Sequence, residues 1–194
     1  MGHSCLGDII IDMAQNAADS GADTVELEIR EKGIFAFTVR DNGKGMNGEQ
    51  LECVRRAAAD YAKGESPLRA AGGRGIPFMA RAAEDSGGSW ELDSGAGRGT
   101  RVSAWFGSAD TPARQPALPS ALPVGDIPGT LRTVLLFEGP REVLIRRIRE
   151  DGAVYEIRKT ELARVMGELE KARTLILLDR YLREIEGGLQ RNAG

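Results

Sequence analysis

Three short stretches of this chain carry residue types and spacings that could do chemistry. In the first, an apolar alternation, Ile34, Phe35, Phe37, Val39, leads into Asp41-Asn42-Gly43-Lys44-Gly45-Met46. It reads as a strand ending in a carboxylate and a tight glycine turn. A carboxylate so placed can accept a hydrogen bond from an exocyclic amine such as adenine's, and Gly43 and Gly45 let a flat ring approach the backbone. The bland alternative is an Asp-Asn-Gly turn with no ligand. In the second stretch, Asp8, Asp12, Asn16 and Asp19 form an oxygen-rich row, with Asp12 stacked one helical turn below Asn16. Such a row can hold a hard cation such as magnesium through the Asn16 amide oxygen while Asp12 orients a water, and it serves equally as a solvated flank. In the third, Lys63, Arg69 and Arg74 sit among Gly64, Gly72, Gly73 and Gly75. Cations and free backbone N–H groups in such a stretch suit a lid over phosphates, or a plain surface loop.

The elements that must position these groups follow from periodicity. Leu6 to Ser20 reads as a helix with Leu6, Ile9, Ile10, Met13 and Ala17 inward, Ser4 as its cap and Gly21 as its stop. Thr24 to Arg30 alternates as a half-buried strand, and Lys32-Gly33 turns it back into Ile34 to Arg40 as an antiparallel hairpin. Gly48 to Ala62 reads as a helix with Leu51, Val54, Ala58 and Tyr61 inward. Gly43 to Gly48 also matches the dinucleotide-binding G-x-G-x-x-G pattern, but a helix follows where that fingerprint needs a short βαβ unit with an acidic residue closing a second strand. Ile76 to Asp85 is a further helix, whose start at Gly73-Arg74-Gly75 aims N–H groups at an anion. Trp90 to Leu92 and Arg101 to Phe106 form a last strand pair around a glycine-rich turn.

Bulk properties narrow the class. A length of 194 residues suits one domain with an appendix, and a net charge of -3, divided as -4 up to Gly107 and +1 after it, excludes general attraction to nucleic acid and names no polyanionic partner. Cys5 and Cys53 have no partner at metal or disulfide-framework spacing, which predicts reduced thiols and a cytoplasmic setting. Neither an export signal nor an apolar run long enough to cross a membrane is present, so no membrane partner is expected.

Beyond Gly107 the chain changes character. Residues 108–128 hold five of its eight prolines and read as a semi-extended linker. Asp126 can cap a short helix over Gly129 to Phe137, and Val134-Leu135-Leu136-Phe137 can also be read as a fully buried strand. Glu142 to Arg149 and Ala153 to Arg158 read as a hairpin around Asp151-Gly152, and helices follow over Thr160 to Glu170 and Ala172 to Gly187. The predicted organisation is a domain at 1–107, a linker at 108–128 and a small α+β region at 129–194, used for dimerisation or partner docking.

The order of motifs resembles the ATP-binding domain shared by histidine kinases, gyrase-type topoisomerases, mismatch-repair ATPases and heat-shock chaperones, the Bergerat fold. The asparagine box is similar to Asp12-Met13-Ala14-Gln15-Asn16, and the adenine-binding Asp-x-Gly-x-Gly to Asp41-Asn42-Gly43-Lys44-Gly45. The second glycine box is similar to Gly73-Arg74-Gly75-Ile76, and the closing Gly-Thr-x-Val to Gly99-Thr100-Arg101-Val102. The resemblance implies an α+β fold: a two-layer α/β sandwich with a mixed, mostly antiparallel sheet and helices on one face, plus a small C-terminal α+β appendage. It implies ATP and Mg²⁺ as cofactors. Asn16 would bind the metal, and Asp12 would be catalytic. The nucleotide would be held by Asn16, Asp41, Gly43, Gly45, Met46, Lys63, Arg69, Gly73, Arg74, Gly75, Ile76 and Thr100. Asp12 is one methylene shorter than the glutamate usual there in hydrolysing branches, which argues against fast hydrolysis. His3, the single histidine, is a cap or surface residue rather than a phospho-acceptor. Asn16-Ala17-Ala18-Asp19-Ser20-Gly21 most resembles stand-alone bacterial proteins of the histidine-kinase type. The leading expectation is therefore phosphoryl transfer in signalling to a protein partner, a phospho-acceptor supplied in trans, with a homodimer also open. The alternative is a nucleotide-dependent interaction module or slow ATPase without kinase chemistry.

Overall fold

The computed structural model of the chain describes residues 4–65, 75–107 and 122–187. His3, Arg69, Gly73, Arg74 and most of the proline-rich stretch lie outside the described residues.

Helix α1 (Leu6–Asp19) buries Ile9, Ile10, Met13, Ala14 and Ala17, the stripe its periodicity predicts. Its start differs from expectation. Cys5 is the N-cap, and the Ser4 hydroxyl donates instead of accepting. Asp8 Oδ2 takes hydrogen bonds from the Ser4 N–H (2.7 Å), the Ser4 hydroxyl (2.8 Å) and the Cys5 N–H (3.2 Å), because a carboxylate in the first turn faces these donors. These bonds, led by the one from the Ser4 backbone, lower the pKa of Asp8. The Leu6 and Gly7 N–H groups donate to the carbonyls of Pro123 and Val124, so chain more than a hundred residues away completes the helix end.

Strands β1 (Thr24–Arg30) and β2 (Phe35–Asp41) form the expected hairpin, turning at Gly33 with φ 85°. Helices α2 (Gly48–Ala62) and α3 (Gly75–Asp85) follow, then strands β3 (Ser89–Gly95) and β4 (Gly99–Phe106). Of the four residues expected inward on α2, Ala58 alone is fully buried, since α2 packs mainly on α3 at the rim of the core. The remainder is α4 (Ile127–Leu135), β5 (Glu142–Ile148), β6 (Val154–Arg158), α5 (Lys159–Met166) and α6 (Ala172–Gly187).

The strands form one six-stranded sheet in the order β3-β4-β2-β1-β5-β6. Every neighbouring pair is antiparallel except β1 and β5, which run parallel with Val25 beside Val143 and Leu27 beside Ile145. The C-terminal α+β region thus extends the sheet of the first hundred residues. The edge of β1 away from β2 would otherwise leave unpaired N–H and C=O groups, and Val143 and Ile145 continue the apolar face of Val25, Leu27 and Ile29. The helices cover that face, while Glu26, Arg40, Arg101 and Arg146 stand exposed on the other.

Arg147 on β5 points into the helix layer and is 1% exposed. It pairs with Glu31 (2.7 Å) and Glu186 (3.0 Å), and Glu186 also accepts from the Tyr155 hydroxyl. Burial and this acceptor push the Tyr155 pKa well above its ordinary value. Arg149 donates to the carbonyls of Ile185 and Glu186, so two arginines fasten the end of α6 to the sheet.

Candidate functional site

Three chain reversals meet at the end of β2: the C-cap of α1 at Ser20, the turn after Asp41, and the turn between β3 and β4. Their approach is too close for side chains. A Cβ on Gly43 would lie 1.9 Å from Ser20 Oγ, and one on Gly45, where φ is 61°, would lie 2.0 Å from the Gly95 carbonyl oxygen. The Lys44 N–H donates to Ser20 O (3.2 Å) and the Gly97 N–H to Lys44 O (2.7 Å), which ties the three turns together.

Asp41, 6% exposed, lies at the centre. Its Oδ1 accepts from the Gly43 N–H at 2.8 Å and, at 3.0 Å, shares the single Ser20 hydroxyl proton with the Ala17 carbonyl, which lies 2.7 Å from the same hydroxyl. Among the described residues, both donors to this carboxylate go to Oδ1, which fixes its plane and leaves Oδ2 as the acceptor for an incoming amine. Across the floor, Ser94 Oγ accepts from the Met46 N–H (2.9 Å), donates to the Gly99 carbonyl (2.9 Å) and lies 2.9 Å from Thr100 Oγ1. With its one proton on Gly99, Ser94 takes the Thr100 proton as well. Thr100 then offers lone pairs to the cleft above.

That cleft has a volume of about 270 Å³. Met13, Ala17, Val39, Val54 and Val102 supply apolar wall, and Asn16, Asp41 and Thr100 supply polar atoms. Apolar walls with a few convergent polar groups are what a flat heterocycle needs. A larger hollow of about 630 Å³ opens on the other face of the sheet and shares Asp41 and Thr100, but charged side chains such as Glu26, Arg40, Asp93 and Arg101 line it, and they offer a ring no apolar wall.

Of the residues expected from sequence, Asn16, Asp41, Gly45, Met46, Ile76 and Thr100 line the smaller cleft together. Gly43 stands behind Asp41 as a donor. Asp12 and Gly75 do not line it. They meet each other instead, since a Cβ on Gly75 would come within 2.5 Å of Asp12 Oδ2, so the start of α3 abuts the carboxylate one turn below Asn16. Lys63 is the exposed C-cap residue of α2, also away from the cleft. Arg69, Gly73 and Arg74 are outside the described residues. Among the described residues, no three or more His, Cys, Asp and Glu side chains converge as a metal site, and Asn16 offers the cleft an amide oxygen that could serve a hard cation.

Sequence reasoning missed Ser20 and Ser94, the two hydroxyls that set the floor. A signal for Ser94 existed: it follows Leu92 by two positions, so strand alternation turns a polar side chain inward. Ser20, a small polar residue at a helix end, has no such signature.

Residues 4–109 match the family model described as Histidine kinase-, DNA gyrase B-, and HSP90-like ATPase. The chain is 33% identical over 98 residues to the DNA mismatch repair protein MutL of Anaeromyxobacter sp. (strain K), covering 48% of this chain and 16% of that protein. It is 27% identical over 121 residues to MutL of Streptococcus pneumoniae serotype 19F (strain G54), covering 60% of this chain and 18% of the relative. The chain thus spans under a fifth of the length of these relatives. A solved structure described as the N terminal domain of a DNA repair protein superposes with a TM-score of 0.51 at 13% identity, covering 80% of this chain and 52% of that one, a likeness of fold.

Proposed function

Because this chain belongs to the Histidine kinase-, DNA gyrase B-, and HSP90-like ATPase family and is an ATP-binding domain of it, we propose that the cleft beside Asp41 takes the ATP base and that nucleotide occupancy switches the protein's association with a partner. The observation that carries this reading is the convergence of Asn16, Asp41, Met46, Ile76 and Thr100, from four separate elements and the turn after β2, on one apolar-walled cleft. Asp41 would accept the adenine amine at Oδ2, Thr100 would offer its lone pairs at the floor, and Met46 and Ile76 would cover the ring. Asn16 would face the phosphates with Mg²⁺ held between them. When bound, the ion supplies neutralisation of phosphate charge.

Asp12 would position water for a slow hydrolysis that resets the switch. Its carboxylate is short by one methylene and sits against the start of α3, which limits its reach. The relatives reported above are repair proteins, so phosphoryl transfer to an acceptor protein, the leading expectation from sequence, has no support among them. Their names raise DNA as a partner. A net charge of -3 and an open sheet face that interleaves Glu26, Arg40, Asp93 and Arg101 favour a protein partner instead.

Calorimetric titration with a non-hydrolysable ATP analogue and Mg²⁺ tests the binding reading, and equal heats for wild type and Asp41→Asn would remove Asp41 from it. Incubation with γ-labelled ATP and cell extract then separates the chemistries. Slow phosphate release with no labelled protein supports the switch, and a labelled partner restores the transfer reading.

A further inference from the structure

The described residues expose four large apolar side chains, and three of them, Val165 (78%), Ile176 (71%) and Leu177 (48%), lie on α5 and α6, on the side turned away from the core. Val165 and Leu177 line a shallow groove between these helices, far in the chain from the nucleotide cleft. Isolated exposed aliphatics are ordinary, but a groove lined by Val165 and Leu177 and edged by charged side chains has the make-up of a contact surface.

What covers it follows from the order of residues along α6. Six residues of α6 line the groove, Arg173, Thr174, Leu177, Arg180, Tyr181 and Glu184, and the exposed ones, Arg173, Leu177, Arg180 and Glu184, are spaced four, three and four residues apart, so these four share one face. The spacing is symmetric about the point between Leu178 and Asp179. An identical helix laid antiparallel across that point therefore sets Arg173 opposite Glu184 at each end, and Leu177 against the aliphatic stem of Arg180 in the middle. The end pairs sit about 16 Å apart along the axis, three helical turns. Among the described residues Arg173 has no acidic partner, whereas Arg180 holds Glu184 at 2.9 Å. A second α6 would supply the missing carboxylate to Arg173 and place Glu184 between two guanidinium groups. Parallel packing would bring Arg173 onto Arg173.

We propose that this α5–α6 face is a two-fold interface with a second copy of the chain, with α6 packed antiparallel on α6 and Arg173 paired to Glu184 of the other copy. The interface would be independent of the nucleotide cleft and would form with that cleft empty.

The test is a charge swap on the full chain without nucleotide, read by analytical ultracentrifugation over a range of protein concentrations. The expected result is a reversible dimer for wild type. Arg173→Glu and Glu184→Arg each place like charges together twice and should weaken the dimer about tenfold or more. The double variant should recover wild-type association, a rescue that loss of folding cannot mimic. Circular dichroism and ATP-analogue binding of the single variants should match wild type. A wild type that stays monomeric throughout would overturn the proposal and leave the face to a different protein. Single variants that dimerise as well as wild type, or a double variant that fails to recover, would overturn it too.

Discussion

The Ser20 hydroxyl lies 3.0 Å from Asp41 Oδ1 and 2.7 Å from the Ala17 carbonyl, so one side chain couples the end of α1 to the carboxylate at the end of β2. Asn16 stands one helical turn before Ser20 on α1 and lines the same cleft as Asp41. The Ser20 hydroxyl therefore helps to hold Asp41 in place relative to Asn16, two residues of the candidate site.

Ser20→Ala removes that coupling. It should cost about 1 kcal/mol of stability and weaken ATP binding several-fold, since Asp41 Oδ1 keeps the Gly43 N–H as its single donor. Ser20→Thr retains the hydroxyl and should bind ATP close to wild type. Thermal unfolding and calorimetry on both variants provide the measurement, and unchanged binding by Ser20→Ala would show the coupling to be idle.

Asp41→Asn keeps an oxygen for Gly43 and Ser20 and turns an amide NH2 toward the adenine amine, donor against donor. The fold should persist while affinity for ATP falls at least about tenfold, the effect of roughly 1.4 kcal/mol. An unchanged dissociation constant with a native circular dichroism spectrum would contradict the assignment.

At Gly45, alanine meets two penalties, a positive φ of 61° and a Cβ 2.0 Å from the Gly95 carbonyl oxygen. Backbone cannot swing aside as a long side chain can. Gly45→Ala should destabilise by about 1–3 kcal/mol and open the cleft floor. Gly48→Ala, with nothing within 4 Å of its Cβ, is the matched control and should unfold at or above the wild-type temperature.

Acid stability should carry a contribution from Asp8. Hydrogen bonds, first from the Ser4 backbone N–H, lower its folded pKa below the ordinary value of 3.8. The contribution is therefore complete above pH 3.8 and lost as pH falls through the lowered folded value. Asp8→Ala should cost about 1 kcal/mol near neutral pH, as loss of an N-terminal cap does, and should flatten the acid limb of a stability-against-pH curve. Denaturant titrations at several pH values would measure both effects.

Arg147 tests how α6 is held. Arg147→Ala strands Glu31 and Glu186 in a partly buried site and should cost about 3–5 kcal/mol, with loss of α6 protection in hydrogen exchange. Arg147→Met combined with Glu31→Gln and Glu186→Gln removes the charges together and should recover part of that loss.

By itself the sequence determined what is local. The 3.6-residue stripe of Leu6, Ile9, Ile10 and Met13 specified α1, the alternation of Val25, Leu27 and Ile29 specified β1, and the carboxylate and glycines after Val39 marked the end of β2 as a candidate site. These signals are legible because helix and strand periodicity and backbone sterics act between residues a few positions apart. Tertiary structure alone decided what depends on distant partners. It placed β5 parallel to β1, carrying the C-terminal region into the same sheet, because strand pairing satisfies an edge whose partner local pattern does not name. It aimed the Ser20 hydroxyl at Asp41, gave the inward-turned Ser94 its partners in Met46 and Gly99, and sealed Arg147 inside the helix layer, since a side chain's polarity does not say which distant segment will close over it.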